Sequence, residues 1–117
     1  MEAKVIKTGM SGDDVLLWEG LKADSSGGAR EFPNGADLHI QVLGDLSGGR
    51  LVMQGSNVVA PEETDWACLT DSQGFPIQFA TLDIIKRAHT VPRWIRPQVE
   101  DGDDNTNVAV HIAMRKG

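Results

Sequence analysis

The sequence predicts an all-β chain: an antiparallel β-sandwich or jelly roll with an extended N-terminal arm. Three observations carry that expectation. Apolar residues recur at period two, glycine, proline, asparagine and aspartate punctuate the chain between the alternating stretches, and there are about seven such stretches, the number that two packed sheets need.

The alternation is clearest at Leu38-His-Ile-Gln-Val42, where Leu38, Ile40 and Val42 share one face and His39 and Gln41 the other. Near the C-terminus Val108, Val110, Ile112 and Met114 line one face against Ala109, His111 and Ala113. Successive strand side chains point to opposite sides, so each segment reads as a strand with one buried face. Shorter segments follow the same rule at 14–21, 50–54, 66–70, 76–81 and 94–99. Pro97 has no N–H to give to a ladder, which predicts that 94–99 is an edge strand or is bulged there. Gly44-Asp-Leu-Ser-Gly-Gly49 and Asp101-Gly-Asp-Asp-Asn-Thr106 read as hairpin loops, since glycine and aspartate tolerate the positive φ of tight turns. The stretch 82–89 fits either a short helix, with Leu82, Ile85 and His89 at helical spacing, or a strand. Residues 1–35 are expected to form an arm, a first strand and a polar flexible loop (22–35), and 36–117 the sandwich body, within one domain.

A chain of 117 residues is long enough for one sizeable core. Apolar residues make up 40%, but aromatics only 5% with no tyrosine, so the core is built from aliphatic side chains. The net charge of −6 disfavours nucleic acid, whose phosphates need clustered Lys and Arg. Cys68 is the sole cysteine, so no intrachain disulfide can form. No run approaches membrane-spanning length and the first residues lack an apolar signal core, which predicts a soluble product made in the cytoplasm.

No residue pattern calls for catalysis, a cofactor or a metal. His39, His89 and His111 are not spaced as ligand pairs and read as surface or interface residues. Asp101, Asp103, Asn105 and Asn107 alternate like the start of a calcium loop, but Thr106 stands at the position of the required glycine and Ile112 at that of the bidentate glutamate. An acidic solvated turn is the expectation. Cys68 lacks a neighbouring base and reads as a buried small hydrophobe. Trp66 and Trp94 open strands, in the core or at the sandwich ends. Trp18, in Val15-Leu-Leu-Trp18, lies in a segment apolar on both faces: it is either a core residue or an intersubunit anchor, a role in which Trp is enriched.

From Ala36 to Lys116 the chain resembles the capsid decoration (cement) proteins of tailed bacteriophages. The resemblance is carried by Leu38-His-Ile-Gln-Val-Leu-Gly44, Gly49-Arg-Leu-Val-Met-Gln-Gly-Ser-Asn57, Trp66-Ala-Cys-Leu-Thr-Asp71, Arg93-Trp-Ile-Arg-Pro97, the acidic turn and the final strand ending in Arg115-Lys116. It implies a non-enzymatic protein on the exterior of the virion that bridges major capsid subunits. Its partners would be the major capsid protein and copies of itself in a dimer or trimer, with neither nucleic acid nor membrane. Trp18, Arg93, Arg96, Arg115 and Lys116 are the candidate interface residues, the cations facing an acidic capsid surface, with the arm Met1 to Met10 and the 22–35 loop as attachment pieces. A neck, tail or fibre-base protein is the alternative within virion proteins. The Gly-Ser-Asn…Trp and Ile-Arg-Pro phrases are also similar to discoidin-like carbohydrate-binding sandwiches. Those often continue with Asn-Asp-Gly after the serine; here the longer, more acidic Asn57-Val-Val-Ala-Pro-Glu-Glu-Thr64 follows, which argues against a ligand role for that loop.

Overall fold

The alternating segments become strands because each has one apolar side to bury. The structure, a computed structural model, describes residues 4–7, 14–31, 36–71, 73–82, 84–88 and 92–116, with the side chains of 4–7, 14–15, 36–37 and 114–116 outside the description. Ten strands are formed by these residues: β1 (Lys4–Lys7), β2 (Asp14–Leu21), β3 (Arg30–Glu31), β4 (Ala36–Asp45), β5 (Arg50–Ser56), β6 (Ala67–Cys68), β7 (Gln78–Phe79), β8 (Ile85–Arg87), β9 (Trp94–Glu100) and β10 (Asn107–Lys116). They build two antiparallel sheets, a first in the order β1-β2-β10-β4-β8 and a second in the order β3-β9-β5-β6, with β7 also alongside β5. From β2 onward the chain changes sheet at most steps, so β2-β10-β4-β8 faces β3-β9-β5-β6. That is the strand order of a jelly roll.

Between the sheets lie Leu38, Ile40 and Val42 of β4, Val108, Val110 and Ile112 of β10, Leu51 and Met53 of β5, and Ile95 and Val99 of β9, all fully buried. The register explains how they meet: Val110 lies opposite Val42 and Ile112 opposite Ile40. Trp18 is also fully buried. It points inward together with Leu21 because β2 carries an extra residue against β10, between the pairs Val110↔Trp18 and Val108↔Leu21. Gly20, at φ +68°, absorbs that bulge. The two-sided apolar pattern of 15–18 thus has its cause: Leu16 and Trp18 face the core, and Leu17 the other side, opposite His111.

Several expectations are corrected. The links after β4 and after β9 are not hairpins, because β4 pairs with β10 and β5 with β9, across different sheets. Both are arches from one sheet to the other. Alternation tells which face of a strand is buried and says nothing of which strand lies beside it. The stretch 22–31 is no flexible loop: Ser26 bridges Gln98, Gly27 N–H donates to Pro97 O at 2.9 Å, and β3 pairs with β9. Residues 32–35 lie outside the described residues. Of the arm, Lys4–Lys7 is a strand paired with β2, the other residues of Met1 to Met10 being outside the description. β2 lies inside the first sheet, between β1 and β10. β9 is neither an edge nor bulged at Pro97, which pairs in register with Met53. Met53 bonds to Ile77 and Leu69 rather than to Pro97, so the proline's missing N–H faces away from β5, toward Gly27, and the β5–β9 ladder loses no bond. At 82–89 the strand alternative holds, as β8 pairs with β4.

Candidate functional site

The sandwich presents two outer faces of opposite character. On the second sheet, β9 turns Trp94, Arg96, Gln98 and Glu100 outward, and β5 turns out Arg50, Val52, Gln54 and Ser56. These groups largely satisfy one another. Arg96 Nε donates to Gln54 Oε1 at 2.8 Å, and its two terminal nitrogens donate to the two carboxylate oxygens of Glu63 at 3.1 and 3.2 Å. Trp66 closes over the guanidinium, its ring centroid 4.3 Å from Arg96 Cζ, which leaves Arg96 buried although it lies on an outer face. Further along the same face Arg50 Nε pairs with Glu100 at 3.1 Å.

The segment 57–66 brings Glu63 and Trp66 to this place. Asn57 Oδ1 accepts from Arg93 N–H at 3.0 Å, and Glu62 and Asp65 cap the short 3-10 turn Glu63–Asp65 reciprocally. The result is a pocket of about 440 Å³ walled by Trp66, Trp94, Arg96, Glu63, Val59 and Pro61. The indole nitrogen of Trp94 is buried and has no hydrogen-bond partner among the described residues. Arg96, by hydrogen bonding first and by its charge second, holds the Glu63 carboxyl below its ordinary value.

The outer face of the first sheet mixes exposed apolar side chains with polar ones. The register sets Leu17, His111, Gln41 and Ile85 in one row and Ala113, His39 and Arg87 in the next, with Ala109 beside Leu43. Ala109 and Ala113 stand on either side of His111 on β10, beside larger side chains of β4, and a shallow recess of about 270 Å³ is lined by His39, Gln41, Leu43, Ile85, His111 and Ala113. Leu43 is 43% exposed and Ile85 62%.

The predicted interface residues are scattered by the fold. Trp18 is a core residue, its indole N–H bonded to Gly28 O at 2.9 Å, and it cannot anchor a partner. Arg96 is enclosed by Trp66, Gln54 and Glu63 and is not presented to an acidic surface. Arg93 is exposed but paired with Glu31 at 2.8 Å. Arg115 and Lys116 end β10 opposite Asp37 and Ala36, and their side chains lie outside the description. Cys68 is exposed rather than buried. Its sulfur nonetheless turns toward the carbonyls of Leu69 and Ile77, and burial of that atom raises the thiol above its ordinary value.

At the far end of the sandwich the aspartates of the acidic turn cap backbone: Asp103 Oδ1 accepts from Ser47 Oγ at 2.6 Å and from Asn105 N–H at 2.8 Å, and Asp24 Oδ1 accepts from Asp101 N–H. Among the described residues no three His, Cys, Asp or Glu come together as metal ligands would, and no helix is long and apolar enough to cross a membrane.

Sequence reasoning missed Glu63, Trp66 and Trp94 as one group, and the recess that Leu43, Ile85 and Ala113 line. Trp94 and Arg96 stand two residues apart on one strand, a spacing that already puts them on one face; nothing in the sequence ties Trp66 to them. No protein-family model matches the chain, and no curated protein or solved structure matches it either.

Proposed function

We propose that this chain is a non-enzymatic virion structural protein that binds the exterior of a tailed-phage capsid and bridges its major capsid subunits. The sequence resemblance directs the reading to a phage shell. The observation that carries it further is the contrast between the two outer faces. The second sheet pairs most of its outward polar groups with one another, whereas the first sheet turns outward a shallow recess where Leu43 and Ile85 are well exposed among His39, Gln41 and His111. Large apolar side chains exposed together on one face are a feature of protein contacts. We assign that face to the shell.

The mechanism is mechanical. Each copy removes the Leu43, Ile85, Ala109 and Ala113 surface from water against neighbouring capsid subunits, at about 25 cal/mol per Å² of apolar area. Bridging two subunits makes the second contact intramolecular, so weak individual contacts sum to firm attachment.

The test is rebinding. Purified protein added to expanded capsids stripped of it should bind to saturation at a fixed copy number and raise the temperature at which the shells break. Attachment to tails alone, or no attachment to shells, defeats the reading.

A further inference from the structure

We propose that the pocket on the second sheet is a saccharide-binding site, open to the surroundings while the opposite face is docked. The inference goes beyond the structural role, on which it rests only for the statement that this face points outward.

Four observations support it. The pocket, at about 440 Å³, falls within the roughly 300–1,000 Å³ of small-molecule sites. Two of the chain's three tryptophans line it, in a molecule with no tyrosine and few aromatics. An indole offers a broad apolar face to the C–H side of a pyranose ring, while its N–H and neighbouring polar groups meet the hydroxyls. Next, Arg96 and Glu63 are fixed before any ligand arrives. Gln54, Glu63 and Trp66 hold the guanidinium from three sides. Three of its five N–H groups are engaged by these bonds, so the guanidinium is fixed as part of the pocket wall. Glu63, with its side chain 84% exposed, has carboxylate lone pairs beyond the two that Arg96 takes, and these can accept from a sugar hydroxyl.

Last, the Trp94 N–H is buried without a partner, and such a group costs about 1–3 kcal/mol until it is paired. Trp94 lines the pocket together with Val59, Ala60 and Pro61, and Val59 is 71% exposed. A ligand hydroxyl oxygen entering beside Val59 would supply the missing acceptor. The long acidic segment after Asn57, which on sequence argues against a ligand role, is what builds the pocket: it supplies the Val59–Pro61 wall, Glu63 and Trp66.

The experiment uses the full chain labelled with nitrogen-15, with the three indole N–H resonances as reporters. Methyl glycosides of glucose, galactose and N-acetylglucosamine are titrated separately, with N-acetylproline amide as an apolar peptide probe. At least one glycoside should shift the Trp94 and Trp66 indole signals saturably, with a dissociation constant in the millimolar range, and leave that of Trp18 in place. Trp94→Phe keeps an aromatic face but removes the five-membered ring with its N–H, so it should weaken binding by at least about tenfold, the equivalent of 1.4 kcal/mol. Glu63→Gln should weaken it as well. If no glycoside moves the Trp66 and Trp94 signals, or if the proline amide alone does, the pocket is not a saccharide site. Equal binding by the wild type and Trp94→Phe removes the role given to that N–H. None of these readouts involves capsids, so failure here and failure of shell rebinding are separate results.

Discussion

Trp18 ties the two sheets together through a contact that leaves no room for a side chain at Gly27. Its indole N–H reaches Gly28 O, and a Cβ placed on Gly27 would lie 2.5 Å from Trp18 Cδ1 and 2.8 Å from Pro97 Cγ. Gly27→Ala should therefore destabilise the protein by about 1–3 kcal/mol through overpacking, read as a lower urea midpoint. Trp18→Ala should cost about 3–5 kcal/mol without changing the self-association of the fraction that stays folded; loss of an oligomer at unchanged stability would make Trp18 an anchor after all. Two carboxylates give the protein an acid limit. Arg96 lowers Glu63, and the Ser47 hydroxyl, followed by the Asn105 N–H, lowers Asp103. A group lowered in the folded chain contributes stability that is present above its ordinary value and lost as pH falls through the lowered one. Melting temperature should thus fall as pH drops below the ordinary carboxylate range. In Glu63→Gln/Ser47→Ala that decline should be shallower, and an unchanged decline would mean that other groups set it.

At the scale of elements, the arches decide the topology, and one threonine holds two of them together. Thr106 is 1% exposed; its hydroxyl accepts from Asp103 N–H at 3.0 Å and donates to Leu46 O at 3.3 Å. It links the β9–β10 arch to the β4–β5 arch. Thr106→Val keeps the shape and leaves the Asp103 N–H unpaired, while Leu46 O keeps the Gly49 N–H at 2.9 Å, so it should cost about 1–3 kcal/mol, measured by equilibrium denaturation; a neutral result would mean that water replaces the hydroxyl. The strands themselves were legible because alternation at 38–42 and 108–114 reports burial directly. The arches were not, since glycine and aspartate serve a sheet crossing as well as a hairpin. The bulge at Gly20 was hidden for a related reason: one extra residue puts Trp18 and Leu21, three apart, on the same inner face, which strict alternation would place on opposite ones. The edge formed by 22–31 was missed because its hold on the sheet comes from backbone groups, Gly27 N–H to Pro97 O and Val99 N–H to Ser25 O, which leave no trace in side-chain pattern.

At the scale of the whole molecule, the sandwich has one face closed on itself and one left open. In sequence the open face was masked, because His39, Gln41 and His111 read as polar positions on their own strands. Its exposed apolar side chains come together only once the register sets Leu43 beside Ala109 and brings β8, with Ile85, alongside β4. The asymmetry makes the shell-binding reading testable by charge. Leu43→Glu/Ile85→Glu adds two carboxylates to the open face at positions 43% and 62% exposed, where each change should alter folding stability by no more than about 0.5 kcal/mol. On a docked face the same carboxylates would be desolvated without partners, so attachment to stripped capsids should fall by at least about tenfold for each 1.4 kcal/mol lost. Gln78→Glu, exposed on the second sheet, is the control and should bind as the wild type does. If the double variant saturates capsids like the wild type while Gln78→Glu does not, the two faces have been assigned the wrong way round, and the shell contacts the second sheet.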